Sequence, residues 1–124
     1  MSYKDIEIYK LAFKLAVDIH KMTLSLPKFE LYEEASQIKR SSKSVGANIT
    51  EGYGKRAYKN DFIRSLTIAH AECDETMYHL DILYETQSLT NRNIYDNLYK
   101  EYVKLSKMIN KFSQTVLKNH LSSK

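Results

Sequence analysis

Four histidines, one cysteine and fifteen carboxylates are the groups in this 124-residue chain able to ligate a metal or move a proton. Di-iron bundles need Glu-x-x-His pairs that set a carboxylate and an imidazole together on an inner helix face. The residues three before the four histidines are Val17, Thr67, Thr76 and Leu117, and none is a carboxylate. His79 follows Glu75 by four and Asp74 follows His70 by four, the spacing of ordinary surface pairs on a helix. No metal site is expected. Cys73 falls in an apolar stripe, where a free thiol acts as a small hydrophobe. A single cysteine makes neither an intramolecular disulfide nor a zinc pair. The stretch Gly52-Tyr53-Gly54-Lys55 lacks the length and the preceding strand of a phosphate-binding loop. These absences argue against an enzyme and leave no cofactor to expect.

Recognition is a better use of the polar residues. Gln37, Arg40, Ser44, Asn48 and Glu51 recur at steps of 3, 4, 4 and 3, one helix face turned away from an Ile38-Val45-Ile49 seam. Such a file can bind an outside partner or cross-link a neighbouring helix or subunit, and spacing alone favours the cross-link. Tyr95, Tyr99 and Tyr102 recur beside Lys100 and Lys104. Aromatics next to lysines can stack on unpaired bases, but a bundle seam or subunit interface is the preferred reading.

Charge is unevenly spread although the net is only +4. Residues 1–35 carry 5 basic and 6 acidic groups, 36–64 carry 7 and 2, 65–99 carry 1 and 6, and 100–124 carry 6 and 1. The second block holds Lys39, Arg40, Lys43, Lys55, Arg56, Lys59 and Arg64, candidates for phosphate contacts. The acidic Glu72, Asp74, Glu75 and Asp81 offer the opposite reading, complementarity between neighbouring subunits.

The elements that position these groups are helices. Three Gly and one Pro are too few turn-formers for a sandwich of short strands, and 43% hydrophobic with 27% charged residues is globular composition. The spacing predicts a first helix over 5–24, with Ile8, Leu11, Leu15, Ile19 and Met22 inward and Pro27 beyond its end. A second over 31–53 carries Ala35, Ile38, Ser42, Val45, Ile49 and Gly52. It is crowded with small residues suited to close helix approach, with Gly52 and Gly54 as its break. A third over 59–86 buries Phe62, Leu66, Ala69, Cys73, Met77, Leu80 and Tyr84. Thr90 is the expected N-cap of a fourth, which carries Ile94, Leu98, Tyr102, Leu105, Ile109, Phe112 and Val116. Short loops make sequential helices antiparallel neighbours, so the expected fold is all-α, an up-down-up-down four-helix bundle filling one domain over 1–124. The longest apolar run is three residues, no signal-type stretch opens the chain, and a cytoplasmic location without a membrane partner is expected.

The run from Gln37 to Gly54 resembles the signature of the four-helix-bundle family of 23S rRNA intervening-sequence proteins, Q-x-x-R-x-x-x-S-(I/V)-x-x-N-I-A-E-G-x-G. The resemblance extends to Leu26-Pro27 and to Asp61-Phe62-Ile63-Arg64. Thr50 stands where the family usually has Ala, and Lys43 where an apolar residue is common. The resemblance implies a bacterial protein whose relatives form ring-like homopentamers. A similar bundle is the accessory protein of diversity-generating retroelements, a basic pentamer that binds nucleic acid and a reverse transcriptase. The resemblance and the basic block together imply a homo-oligomer, pentameric on the family pattern, that binds structured RNA, ribosomal or otherwise. The alternative is a protein-interaction scaffold without nucleic-acid binding.

Overall fold

The computed structural model describes residues 2–122, with side chains through Asn119; Met1, 123–124 and the side chains of 120–122 lie outside the described residues. Among the described residues four helices form and no strand does: α1 (Glu7–Thr23), α2 (Glu34–Gly54), α3 (Lys59–Glu85) and α4 (Arg92–Ser122). Two short 3-10 segments precede α1 and α2, at Tyr3–Asp5 and Lys28–Tyr32. Among the described residues no helix is long and apolar enough to cross a membrane.

Each helix buries most of the stripe that its spacing demands, with Leu11, Met77, Tyr84, Phe112 and Val116 half-buried at the margins and Ile94 exposed. Ile8, Ala12, Leu15, Ile19 and Met22 line α1, while Ile38, Val45 and Ile49 line α2. Phe62, Leu66, Ala69, Cys73 and Leu80 line α3, and Leu98, Tyr102, Leu105 and Ile109 line α4. These side chains form one continuous core. Each buried Leu or Ile contributes roughly 1.5–3 kcal/mol relative to exposure. Around that core α2 packs on α1 and α3, and α4 packs on α1 and α3.

Local chemistry fixes the ends. Ser2 Oγ accepts from Lys4 N and Asp5 accepts from Ser2 N, a reciprocal cap on the first 3-10 turn. Beyond α1, Thr23 and Ser25 donate to the carbonyls of His20 and Met22, and Pro27 starts the second 3-10 segment. The second helix therefore begins at Glu34, three residues later than its apolar spacing suggests. The N-terminus of α2 is held by Glu30, 4% exposed, whose carboxylate accepts from Glu34 N and from Ser88 Oγ.

Three details correct the sequence reading. Gly52 is no helix break: it lies buried inside α2, and a Cβ there would come within 2.8 Å of the Ser65 Cβ on α3. Its role is close approach, and the helix runs on to Gly54. The cap of α4 is Asn91 rather than Thr90, since Asn91 Oδ1 accepts from Ile94 N at 3.0 Å. Finally, Gln87 takes φ 66 just past α3, a left-handed turn without glycine, which lets Leu89 N bond back to Leu83 O and bury Leu89.

Candidate functional site

The polar file on α2 divides into two parts. Arg40 reaches α3, where Nη1 and Nη2 each donate to one Glu72 carboxylate oxygen at 3.3 Å and Nη2 also donates to Glu75. Ser44 Oγ donates to Glu72 at 3.0 Å, and Asn48 Nδ2 donates to Ser44 at 2.9 and 3.1 Å. Behind them Ser41 and Thr76 share a buried hydroxyl contact of 2.9 Å. Arg40, Ser44 and Asn48 thus belong to a network tying α2 to α3. Gln37 and Glu51 do not join it: Gln37 is exposed, and Glu51 pairs with Lys55 at 3.0 Å on the surface.

His79 extends the network and corrects the expectation of a surface pair. It is 7% exposed, with Nδ1 at 2.6 Å from Glu34 and Nε2 at 3.2 Å from Glu75. The sequence spacing showed only Glu75; Glu34 arrives through the packing of α2 on α3. His70 and Asp74 are the looser pair, 4.0 Å apart and partly exposed. Hydrogen bonds donated to Glu72 and Glu75 push the Arg40 guanidinium above its usual range. Partial burial pushes the Glu75 carboxyl up, but hydrogen bonds from Arg40 and His79 outweigh it and hold the group below the ordinary carboxylate range.

Among the described residues no reactive constellation stands out. Cys73 is fully buried, and burial, with the charges of Asp74 and Glu72 behind it, pushes its thiol up to about 12. No group of three His, Cys, Asp or Glu suited to a metal occurs among the described residues. The tyrosines on α4 are structural. Tyr102 is wholly buried, and Tyr95 stacks on Tyr84 at 4.3 Å and donates to Asp81. That hydrogen bond, with burial second, pushes the Tyr95 hydroxyl up to about 12. Neither ring is presented for stacking on a base: Tyr95 knits α4 to α3, Tyr102 is closed inside the core, and Tyr99 lies half-buried beside Tyr95 with ring centroids 5.9 Å apart.

The seven candidate basic residues do not form one patch. Arg40 is committed to Glu72 and Glu75. Lys39 and Lys43 sit on α2 roughly 18–24 Å before Lys55, taking 1.5 Å per residue. Lys55, Arg56 and Lys59 gather on the α2–α3 connection, with Arg64 following on α3. Lys55 reaches Glu51, and Arg56 lies 4.1 Å over the Tyr53 ring while donating to the Tyr53 carbonyl. Lys43, Lys59 and Arg64 pair with no carboxylate among the described residues. The charge alternation along the sequence did not show that α4 adds to this end. Phe112 packs on Phe62 with centroids 6.1 Å apart, so Lys111 beside it lies at the same end as Lys59. The basic block at 100–124 was the available signal, and helix packing brings its Lys111 to this end of the bundle, where it lines a groove with Ile6, Glu7 and Ile8.

Comparison with known proteins agrees with this geometry. A solved structure of a protein of unknown function from the S23 ribosomal protein family of Bacteroides thetaiotaomicron superposes with a TM-score of 0.75. It is 28% identical, and the likeness covers 86% of this chain and 97% of that one. No curated protein matches. The family model for 23S rRNA-intervening sequence proteins matches residues 4–111, taking in the α2 network and the basic connection alike. The chain belongs to the family of 23S rRNA-intervening sequence proteins.

Proposed function

We propose that this chain is a non-enzymatic, cytoplasmic, homo-oligomeric module that binds structured RNA through the basic end formed by the α2–α3 connection and the later part of α4. The fold it uses is a single up-down-up-down bundle. Antiparallel packing of α2 and α3 is supported by partners whose numbers fall on one helix as they rise on the other: Glu34 with His79, Arg40 with Glu72 and Gly52 with Ser65. Phe62 with Phe112 and Tyr84 with Tyr95 follow the same rule for α3 and α4.

The observation that carries the reading is the gathering of Lys55, Arg56, Lys59 and Arg64 at the end where Phe112 brings Lys111. Five cations at one end suit phosphate contacts, which release counterions and weaken steeply with salt. Shape and backbone contacts are how proteins read double-stranded RNA, so such a surface needs no base-specific residues. Copies of the patch in a homo-oligomer, five on the family pattern, raise avidity without any new contact. Arg40, Lys39 and Lys43 are secondary on this reading, Arg40 because its guanidinium is already engaged.

Reversing Lys55, Arg56 and Lys59 to Glu together tests it by fluorescence anisotropy on a ribosomal RNA hairpin. Affinity falls at least tenfold, and the slope of log affinity against log salt flattens by about two to three. Unchanged affinity means that the connection does not contact RNA. A native protein that ignores RNA at every salt concentration moves the reading to a protein scaffold.

A further inference from the structure

Between α1 and α2 runs an open groove of about 580 Å³, with Phe13, Ala16 and Val17 on one wall and Gly46, Ala47 and Thr50 on the other. Phe13 is 57% and Val17 37% exposed, a cost that a soluble face does not normally carry in one strip. Gly46 and Ala47 keep the groove open, for no longer side chain fills it. Its only charged rim residues are Lys21 and Lys43, and neither pairs with a carboxylate among the described residues.

The outer face of α3 is the converse. Ile68, Ala71 and Tyr78 stand exposed at helical spacing, Ile68 at 40% and Tyr78 at 59%, with Ile82 half-buried beyond them and with the Glu75 carboxylate, held by Arg40 and His79, between Ala71 and Tyr78. From Ser65 to Glu85 the helix carries five carboxylates and no lysine or arginine. Asp74 and Glu85 flank the ridge on the exposed side. From Ile68 to Ile82 the ridge is roughly 21 Å long, against roughly 18 Å from Tyr9 to Lys21 along the groove, at 1.5 Å per residue. Because α3 packs on α2 and α4, its outer face cannot turn back into the groove of its own chain.

We propose that the acidic-edged ridge on α3 of one copy seats in the basic-edged α1–α2 groove of the next, a head-to-tail contact between copies of this chain. This inference rests on the homo-oligomeric part of the function proposed above and supplies its interface. Apolar surfaces meet along the strip, while Asp74 and Glu85 approach the Lys21 and Lys43 rim, so the contact is matched in both shape and charge. Two different patches meeting make a heterologous contact, which leaves one free ridge and one free groove on every open assembly.

That geometry gives a mixing test by analytical ultracentrifugation. Phe13→Asp spoils the groove and Tyr78→Asp spoils the ridge, both at exposed positions that a folded chain tolerates. Each variant alone sediments as a single 14.5 kDa chain, whereas the native protein is a multimer. An equimolar mixture forms a dimer and nothing larger, since one intact ridge meets one intact groove. Ala47→Arg and Ala71→Arg give the same pattern and replace the first pair should circular dichroism show lost helix. A mixture that stays monomeric, or variants that keep the native mass, overturn the ridge-in-groove pairing and leave multimerisation standing. A monomeric native protein overturns multimerisation itself. No RNA enters the measurement, so failure of RNA binding leaves these masses unchanged.

Discussion

The two sides of α2 use the same kind of residue to opposite ends. Toward α3, Ser41, Ser44 and Gly52 let the helices close until nothing is left over: hydroxyls meet Thr76 and Glu72, and the Gly52 Cα lies against Ser65. Toward α1, Gly46 and Ala47 leave an apolar groove that the chain does not fill. Small residues in a helix are therefore an ambiguous signal. Satisfied polar partners on the opposing helix mark a finished internal seam, and an open strip with unpaired lysines on its rim marks an unfinished one.

The largest test of this contrast is the pair of interior glycines. Gly52→Ala forces the Ser65 side to shift, because a Cβ would stand 2.8 Å from the Ser65 Cβ. Urea unfolding should show a loss of about 1–3 kcal/mol despite the better helix propensity of alanine. A neutral result would mean that the α2–α3 seam is looser than its contacts imply.

Next comes Arg40→Gln. It leaves Glu72 and Glu75 beside His79 without their cation, at a loss of roughly 1–2 kcal/mol near neutrality. Glu75 is held below the ordinary carboxylate range in the folded chain, so its share of stability is present above that range and lost as pH falls through the lowered value. The difference between native and variant chains should therefore shrink below about pH 4.5. A difference that persists undiminished in acid would assign the loss to packing of the arginine stem.

On the open side, Gly46→Ala should stabilise the chain by about 0.5–1 kcal/mol in the same unfolding series, since its Cβ would meet nothing nearer than Ala12 Cβ at 3.9 Å. Gains and losses of opposite sign from one substitution type on one helix would separate the two faces cleanly. The smallest effect belongs to Tyr102→Phe. Its hydroxyl is fully buried and no hydrogen bond of ordinary geometry reaches it, so deleting it should raise stability by less than about 1 kcal/mol. A measurable loss would reveal a partner for that oxygen, with the Ser42 hydroxyl the group placed to act on it.

Much of the fold was legible because apolar spacing is a local property. Most of the inward stripes of α1 and α3, and the core of α4 from Leu98 to Ile109, are buried as their period requires, while Leu11, Met77 and Tyr84 stay half-buried at the margins. What was illegible depends on which helix lies opposite. Glu30 reads as a surface acid in a polar stretch, yet the fold carries it under the loop to Ser88. Glu34 and His79 stand 45 positions apart and meet only after α2 and α3 pack. Gly52 looks like a helix end until the partner across the seam is known. The basic block was visible as composition, but its division into an engaged Arg40, a distant Lys39 and Lys43, and a terminal cluster needed the helix lengths. Ile94 shows the limit of periodicity itself: it keeps the α4 spacing and is 39% exposed, because the first turn of α4 extends past the core.

The most direct measurement is light-scattering mass of the native protein, alone and then with ribosomal RNA fragments over a salt series. A stable multimer that takes up RNA at low salt and releases it as salt rises is the predicted result. A multimer whose mass is the same with and without RNA at every salt concentration would contradict the account and leave a scaffold that binds protein alone.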